Sequence, residues 1–292
     1  MTVGSISEIG YVSLATRDLR ASIENAEKIL GLTPLEVTKD KAYFTSGNGV
    51  RELVYTRSES DGADHFGLIA PNRDELDAIR GKVESLGHRV IANQPIEDFI
   101  EEGFVFVGPE GFTFHVHLGP SRYDFRSYIG FGPDRLGHFT VRVQDTRAFA
   151  TFLVEVFDFR VSDRIGIDDG FFLRCNPDHH GVALIKSEWS GLHHHAWETQ
   201  SIADLGRLGD RLSKTGSRLI WGPVRHGAGN NIACYYQEPN GTVIELYTDL
   251  ERIYDKERAE VVWDADDLNW INKWDGQFPV LMTTAGSRLL AR

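Results

Sequence analysis

Apolar and polar positions alternate along residues 8 to 15, which predicts a strand. Thr16-Arg17-Asp18 then opens a helix, with Ile23, Ala26, Ile29 and Leu30 on one side of it and Gly31 as its stop. Short β-branched and aromatic runs at 35–38, 41–45 and 50–56 read as strands. The cycle then starts again. A strand at 65–70 leads to a helix from about Asp74 to Leu86, which Gly87 ends, and strands follow near 88–91, 103–107 and 112–118.

The second half repeats this order. Ile9-Gly10-Tyr11-Val12-Ser13-Leu14 matches Leu136-Gly137-His138-Phe139-Thr140-Val141 at an offset of 127, and Asp18-Leu19-Arg20-Ala21 matches Asp145-Thr146-Arg147-Ala148 at the same offset. Asp64-His65-Phe66-Gly67 matches His193-His194-His195-Ala196 at an offset of 129. Gly108-Pro109-Glu110-Gly111 matches Glu238-Pro239-Asn240-Gly241 at 130, which sets His115 opposite Glu245. Loop insertions account for so small a drift, and internal duplication follows. It predicts domains at 1–120 and 135–250. A tail at 251–292 carries Trp263, Trp270 and Trp274 and has no repeat partner. Such a tail is expected to pack on the body or at a subunit interface, or to roof a pocket.

Composition bounds the class. At 292 residues the chain is long enough for two full cores. A net charge of -12 argues against a nucleic-acid partner, whose phosphates call for clustered Lys and Arg. Cys175 and Cys234 sit in apolar runs and read as reduced, buried thiols. The N-terminus lacks a signal-peptide pattern, and no apolar run approaches membrane-spanning length. A soluble, cytoplasmic protein without a membrane partner is the expectation.

Three strand-like runs carry candidate chemistry. They hold His138, the triplet His193 to His195, and Glu245. Two imidazoles and a carboxylate on neighbouring strands can hold one face of an Fe(II) octahedron and leave other positions open. On a straight strand His194 faces opposite to His193 and His195, so the three cannot all be ligands. At the matched positions the first half carries Tyr11, His65 and His115, and it reads as scaffold. Seven of the eleven histidines fall between 138 and 226. His179 and His180 follow a turn signal, Asn176-Pro177-Asp178, and His226 opens a glycine-rich run; on pattern alone either could be a solvated loop.

Four segments together resemble a known family. They are Leu136-Gly137-His138, the run Cys175 to His180, Leu192-His193-His194, and the stretch in which His226 lies nine residues before Tyr235 and is followed by Glu238-Pro239-Asn240-Gly241 and Glu245. Residues 136 to about 250 are similar to the type I extradiol ring-cleaving dioxygenases of the vicinal oxygen chelate superfamily. Cys234 departs from the pattern, since the family usually has a larger apolar residue there.

The resemblance implies an α+β fold of paired βαβββ modules in two domains, and often a homo-oligomer. It implies that His138, His194 and Glu245 ligate Fe(II), or Mn(II), and the repeat partner His65 selects the same member of the triplet. His180 would be the acid–base histidine, and His226 and Tyr235 would contact the substrate. That substrate would be a small catechol-type aromatic diol, with O2 as co-substrate. A free catechol hydroxyl titrates near 10, coordination to a divalent cation lowers it, and a histidine can take the proton near neutrality. The alternatives are a glyoxalase- or epimerase-like enzyme on the same metal face, or a non-catalytic protein that binds an aromatic ligand.

Overall fold

The computed structural model describes residues 4–47, 49–119, 132–274 and 277–290, so the two ends, residue 48, residues 120–131 and residues 275–276 lie outside the described residues. The first half runs β1 (Glu8–Thr16), α1 (Leu19–Asn25), a π-helical turn (Ala26–Leu30), β2 (Thr33–Val37), β3 (Lys41–Thr45), β4 (Leu53–Arg57), β5 (Gly62–Ala70), α2 (Arg73–Ser85), β6 (Arg89–Ala92), β7 (Gly103–Val107) and β8 (Thr113–Leu118). The second half runs β9 (Arg135–Val143), α3 (Thr146–Phe157), β10 (Arg160–Ile165), β11 (Gly170–Arg174), β12 (Val182–Lys186), β13 (Gly191–Glu198), α4 (Ile202–Lys214), β14 (Trp221–Arg225), β15 (Ile232–Gln237) and β16 (Val243–Thr248). The tail adds β17 (Val261–Trp263), α5 (Val280–Thr284) and β18 (Ser287–Arg288).

The duplicated residues begin the duplicated elements. Asp18 caps α1 by accepting from the Ala21 amide, and Asp145 caps α3 by accepting from the Ala148 amide. Gly31 ends the first helix at a φ of 87°, which is the left-handed region that favours glycine.

The strands form two sheets. The first has the order β2-β3-β4-β1-β5-β8-β7-β6, and the second β14-β15-β16-β13-β9-β12-β11-β10-β17, with β18 paired to β13. Read from its other end, the second order repeats the first strand for strand, and β17 is added at the edge. Each half is thus a pair of βαβββ units joined through their first strands, β1 with β5 and β9 with β13. Registers repeat as well. Tyr11, Gly67 and His115 lie in one cross-strand row, and His138, Ala196 and Glu245 lie in its counterpart.

Alternation sorts core from site. Phe139 and Val141 of β9, Cys234 and Tyr236 of β15, and Ile244 and Leu246 of β16 enter one apolar core that spans both halves. Within it Phe66 stacks on Phe139 at 4.5 Å between ring centres. Their neighbours of opposite parity, His138, Thr140, Tyr235 and Glu245, line a cavity on the other face of the second sheet.

The tail closes that cavity, to which Leu268, Trp270, Ile271, Phe278, Met282 and Thr283 contribute walls. Its docking explains the glycine-rich run. Gly227 and Ala228 donate their amides to the Trp270 carbonyl, both at 2.9 Å, and a Cβ at Gly227 would lie 2.3 Å from the Asn269 carbonyl. Arg135 and Arg252 each bridge Asp178 and Glu198, which ties the start of the tail to the loop before His179. No helix among the described residues is long and apolar enough to cross a membrane.

Candidate metal centre and its cavity

Neighbouring strands β9, β13 and β16 bring together His138, His194 and Glu245, whose side chains are nearly fully buried. Glu245 Oε2 lies 2.9 Å from His194 Nε2 and 3.3 Å from His138 Nε2. One ligand atom from each residue fits within 4.8 Å of the others. His194 Nε2 is buried and makes no hydrogen bond among the described residues, although the carboxylate stands beside it. An orphaned imidazole nitrogen facing a buried carboxylate fits a divalent cation, which would accept both lone pairs.

The charges agree. Burial opposes ionisation of Glu245, but His138 and His194 outweigh it and hold the carboxyl well below its usual range. Burial pushes His194 down to about 4 despite Glu245, so its ring is neutral and able to ligate near neutrality. Asn231 Nδ2 donates to Glu245 Oε1 at 3.0 Å, which leaves Oε2 to the two histidines.

The other expected site residues surround this group. His180 is buried, with its ring centre 4.2 Å from that of His138. Burial, then His138 and His179, hold it well below 6.5, so it is a neutral base. Its Nδ1 contacts His179 Nδ1 at 3.0 Å, and His179 Nε2 lies 3.0 Å from Asp163 Oδ1. Asp163 in turn accepts from Trp263 Nε1 of the tail at 2.6 Å. The Nδ1–Nδ1 contact holds one hydrogen, so one of the two rings donates and the other accepts.

His226 and Tyr235 form a couple across β14 and β15. His226 Nδ1 faces the Ile271 carbonyl at 2.5 Å and therefore carries the hydrogen, so Nε2 accepts from the Tyr235 hydroxyl at 2.7 Å. Burial and then Glu245 raise the Tyr235 pKa well above 10, which keeps that hydroxyl protonated.

The cavity measures about 310 Å³ and is walled mostly by apolar side chains. Trp221 stacks on Tyr235 at 5.1 Å between ring centres, and Phe278 meets Trp221 edge-on. A planar ring is the shape such walls accept.

One expectation fails. Strict alternation should turn His193 away from the cavity, yet His193 lines it beside His194. A bulge between Leu192 and His194 is the cause, because the extra residue leaves the two-residue period. His195 does face away, towards Glu238. His179, Asp163 and Asn231 were not foreseen either. The adjacency of His179 to His180 was the only local signal, since Asp163 arrives from a different strand. Both cysteines are buried, free thiols that burial raises to about 12.

In the first half Tyr11 occupies the place of His138. Its hydroxyl contacts His65 Nε2 at 2.8 Å and His115 Nδ1 at 2.6 Å, which fills the centre of the matching constellation.

Comparison with known proteins finds the family model described as "Glyoxalase/Bleomycin resistance protein/Dioxygenase superfamily" over residues 8–116 and 135–246. Biphenyl-2,3-diol 1,2-dioxygenase of Pseudomonas sp. (strain KKS102) is 26% identical over 257 residues, covering 81% of this chain and 87% of that protein. Homoprotocatechuate 2,3-dioxygenase from Arthrobacter globiformis superposes with a TM-score of 0.91 at 23% identity, covering 98% of this chain and 93% of that one. The Mn(II)-bound glyoxalase from Novosphingobium aromaticivorans superposes with a TM-score of 0.88 at 26% identity, covering 98% and 96%.

Proposed function

The chain belongs to the Glyoxalase/Bleomycin resistance protein/Dioxygenase superfamily, and from that premise we propose that it is an extradiol dioxygenase, inserting both atoms of O2 into a small aromatic diol and opening the ring beside the hydroxyl pair. The observation that carries the reading is the joint presence, around one apolar cavity, of the His138–His194–Glu245 face, the neutral base His180 and the His226–Tyr235 couple. Relatives named for diol cleavage support it, the biphenyl-diol dioxygenase above among them.

His138, His194 and Glu245 would hold the metal, with Fe(II) the proposed ion and Mn(II) the alternative. A bound divalent metal supplies Lewis acidity towards the diol hydroxyls and the redox chemistry for O2. The protein's residues do the rest. His180 Nε2 takes a proton from the diol and returns it when the bond between the two dioxygen-derived atoms breaks. Tyr235 turns its one hydroxyl hydrogen from His226 Nε2 to a substrate oxygen, and His226, anchored at the Ile271 carbonyl, holds the phenol in place. Trp221, Phe278 and the tail residues clamp the ring and exclude water.

A glyoxalase is the second reading, favoured by the Mn(II)-bound structural neighbour. Metal-centred isomerisation needs the same three ligands but has no evident use for a protonated Tyr235 beside His226.

Anaerobic reconstitution with Fe(II) or Mn(II), followed by catechol and 2,3-dihydroxybiphenyl in air, separates the readings. Extradiol cleavage gives a yellow ring-opened product that His194→Ala does not form. Turnover of a hemithioacetal with no colour from any diol would favour the glyoxalase.

A further inference from the structure

The first strand of the second unit carries a bulge at the same place in both halves. β5 pairs with β1 as His65 opposite Ser13 and then Ala63 opposite Leu14, which leaves Asp64 without an opposite residue. β13 pairs with β9 as His194 opposite Thr140 and then Leu192 opposite Val141, which leaves His193. In both bulges the extra side chain reaches Nδ1 of the histidine that follows. Asp64 Oδ2 lies 3.0 Å from His65 Nδ1, and His193 Nδ1 lies 2.6 Å from His194 Nδ1. Asp64 can only accept there, so the first half shows what the bulge residue does.

The 2.6 Å contact between two ring nitrogens holds one hydrogen, and the far side of His193 decides which ring owns it. His193 Nε2 lies 3.0 Å from the Met282 carbonyl, which can only accept. Arg142 donates to that same carbonyl at 2.8 Å and to the Ala285 carbonyl at 2.9 Å, which fixes its position. Nε2 of His193 therefore carries hydrogen. A second buried cation beside the Arg142 guanidinium is unfavourable, so the His193 ring is neutral and its Nδ1 is bare. His194 then donates from Nδ1, which leaves Nε2, the atom that faces Glu245, to a metal held between them.

We infer that His193 is a positioning residue for the metal ligand: the chain from the Met282 carbonyl through His193 to His194 fixes the tautomer and ring plane that present His194 Nε2 to the metal. The C-terminal segment thereby takes part in metal binding, through a backbone carbonyl far from the ligands in sequence. The inference rests on the reading of His194 as a ligand, given above.

Two measurements on metal-loaded protein test it. Long-range ¹H–¹⁵N NMR of the wild type loaded with diamagnetic Zn(II) should show Nε2–H on His193 and Nδ1–H on His194; hydrogen on His193 Nδ1 would overturn the inference. Mn(II) affinity, read by EPR, should fall about 10- to 100-fold in His193→Phe. His193→Gln should recover most of that loss, since its amide can accept from His194 and donate to Met282. Wild-type affinity in His193→Phe together with no binding in His194→Ala would also overturn it, with the metal centre left standing. Wild-type affinity in His194→Ala would remove the metal centre itself. Should His193→Phe fail to fold, the wild-type tautomers decide alone.

Discussion

Glu245 is the only charged member of the candidate ligand set, and Asn231 fixes which of its oxygens faces the histidines. Glu245→Gln keeps the shape but lets the amide oxygen accept from Asn231, which turns the NH₂ towards His138 and His194. Mn(II) affinity should therefore fall by more than ~100-fold, beyond the loss typical of outer partners; calorimetric titration of the metal-free protein measures it. His180→Asn should leave metal binding intact and lower kcat by about 10²- to 10⁴-fold, the usual worth of a positioned acid or base. Steady-state kinetics with the metal content fixed would check this. The three candidate ligands were legible because His138 and Glu245 each interrupt an apolar strand run and all three have repeat partners. His193 was not, because parity follows from sequence only while a strand stays regular, and a bulge is set by pairing with another strand.

At the scale of elements, the repeat made the strand and helix order readable. Asp18 and Asp145 cap equivalent helices, and the alternating runs sort themselves between core and cavity. The tail was harder to read, since it has no repeat partner and binds by backbone contacts that leave little trace in side-chain pattern. Its three tryptophans predicted packing, which Trp263 and Trp270 show at half burial while Trp274 stays exposed. Only the structure shows that Trp263 holds Asp163 while Trp270 meets the 226–231 loop. Gly227→Val tests this docking, because the added side chain would collide with the Asn269 carbonyl. Limited proteolysis should then cut faster within 264–290, and the KM for a diol should rise as the cavity loses that wall.

Across the whole molecule, the first half keeps the architecture of the second but closes its centre with the Tyr11 hydroxyl between His65 and His115. The cluster still shapes stability. Burial first, then His117 and His65, hold His115 down to about 2, far below the ~6.5 of an unfolded chain. Above pH ~6.5 both states are neutral and the contribution is complete. As pH falls below that, the unfolded chain takes up a proton that the folded protein refuses. Stability should then fall by about 1.4 kcal/mol per pH unit for this residue alone. Urea unfolding between pH 7 and 5 should show a shallower decline in His115→Gln than in the wild type.

The central claim is that one cavity joins O2 to a diol. The most direct measurement follows O2 uptake by electrode and ring-opened product by absorbance in one vessel, with Fe(II)-loaded protein and 2,3-dihydroxybiphenyl. The account predicts one O2 consumed per diol opened, and neither signal in Glu245→Gln. Full metal loading with no O2 uptake over a broad panel of aromatic diols would contradict it.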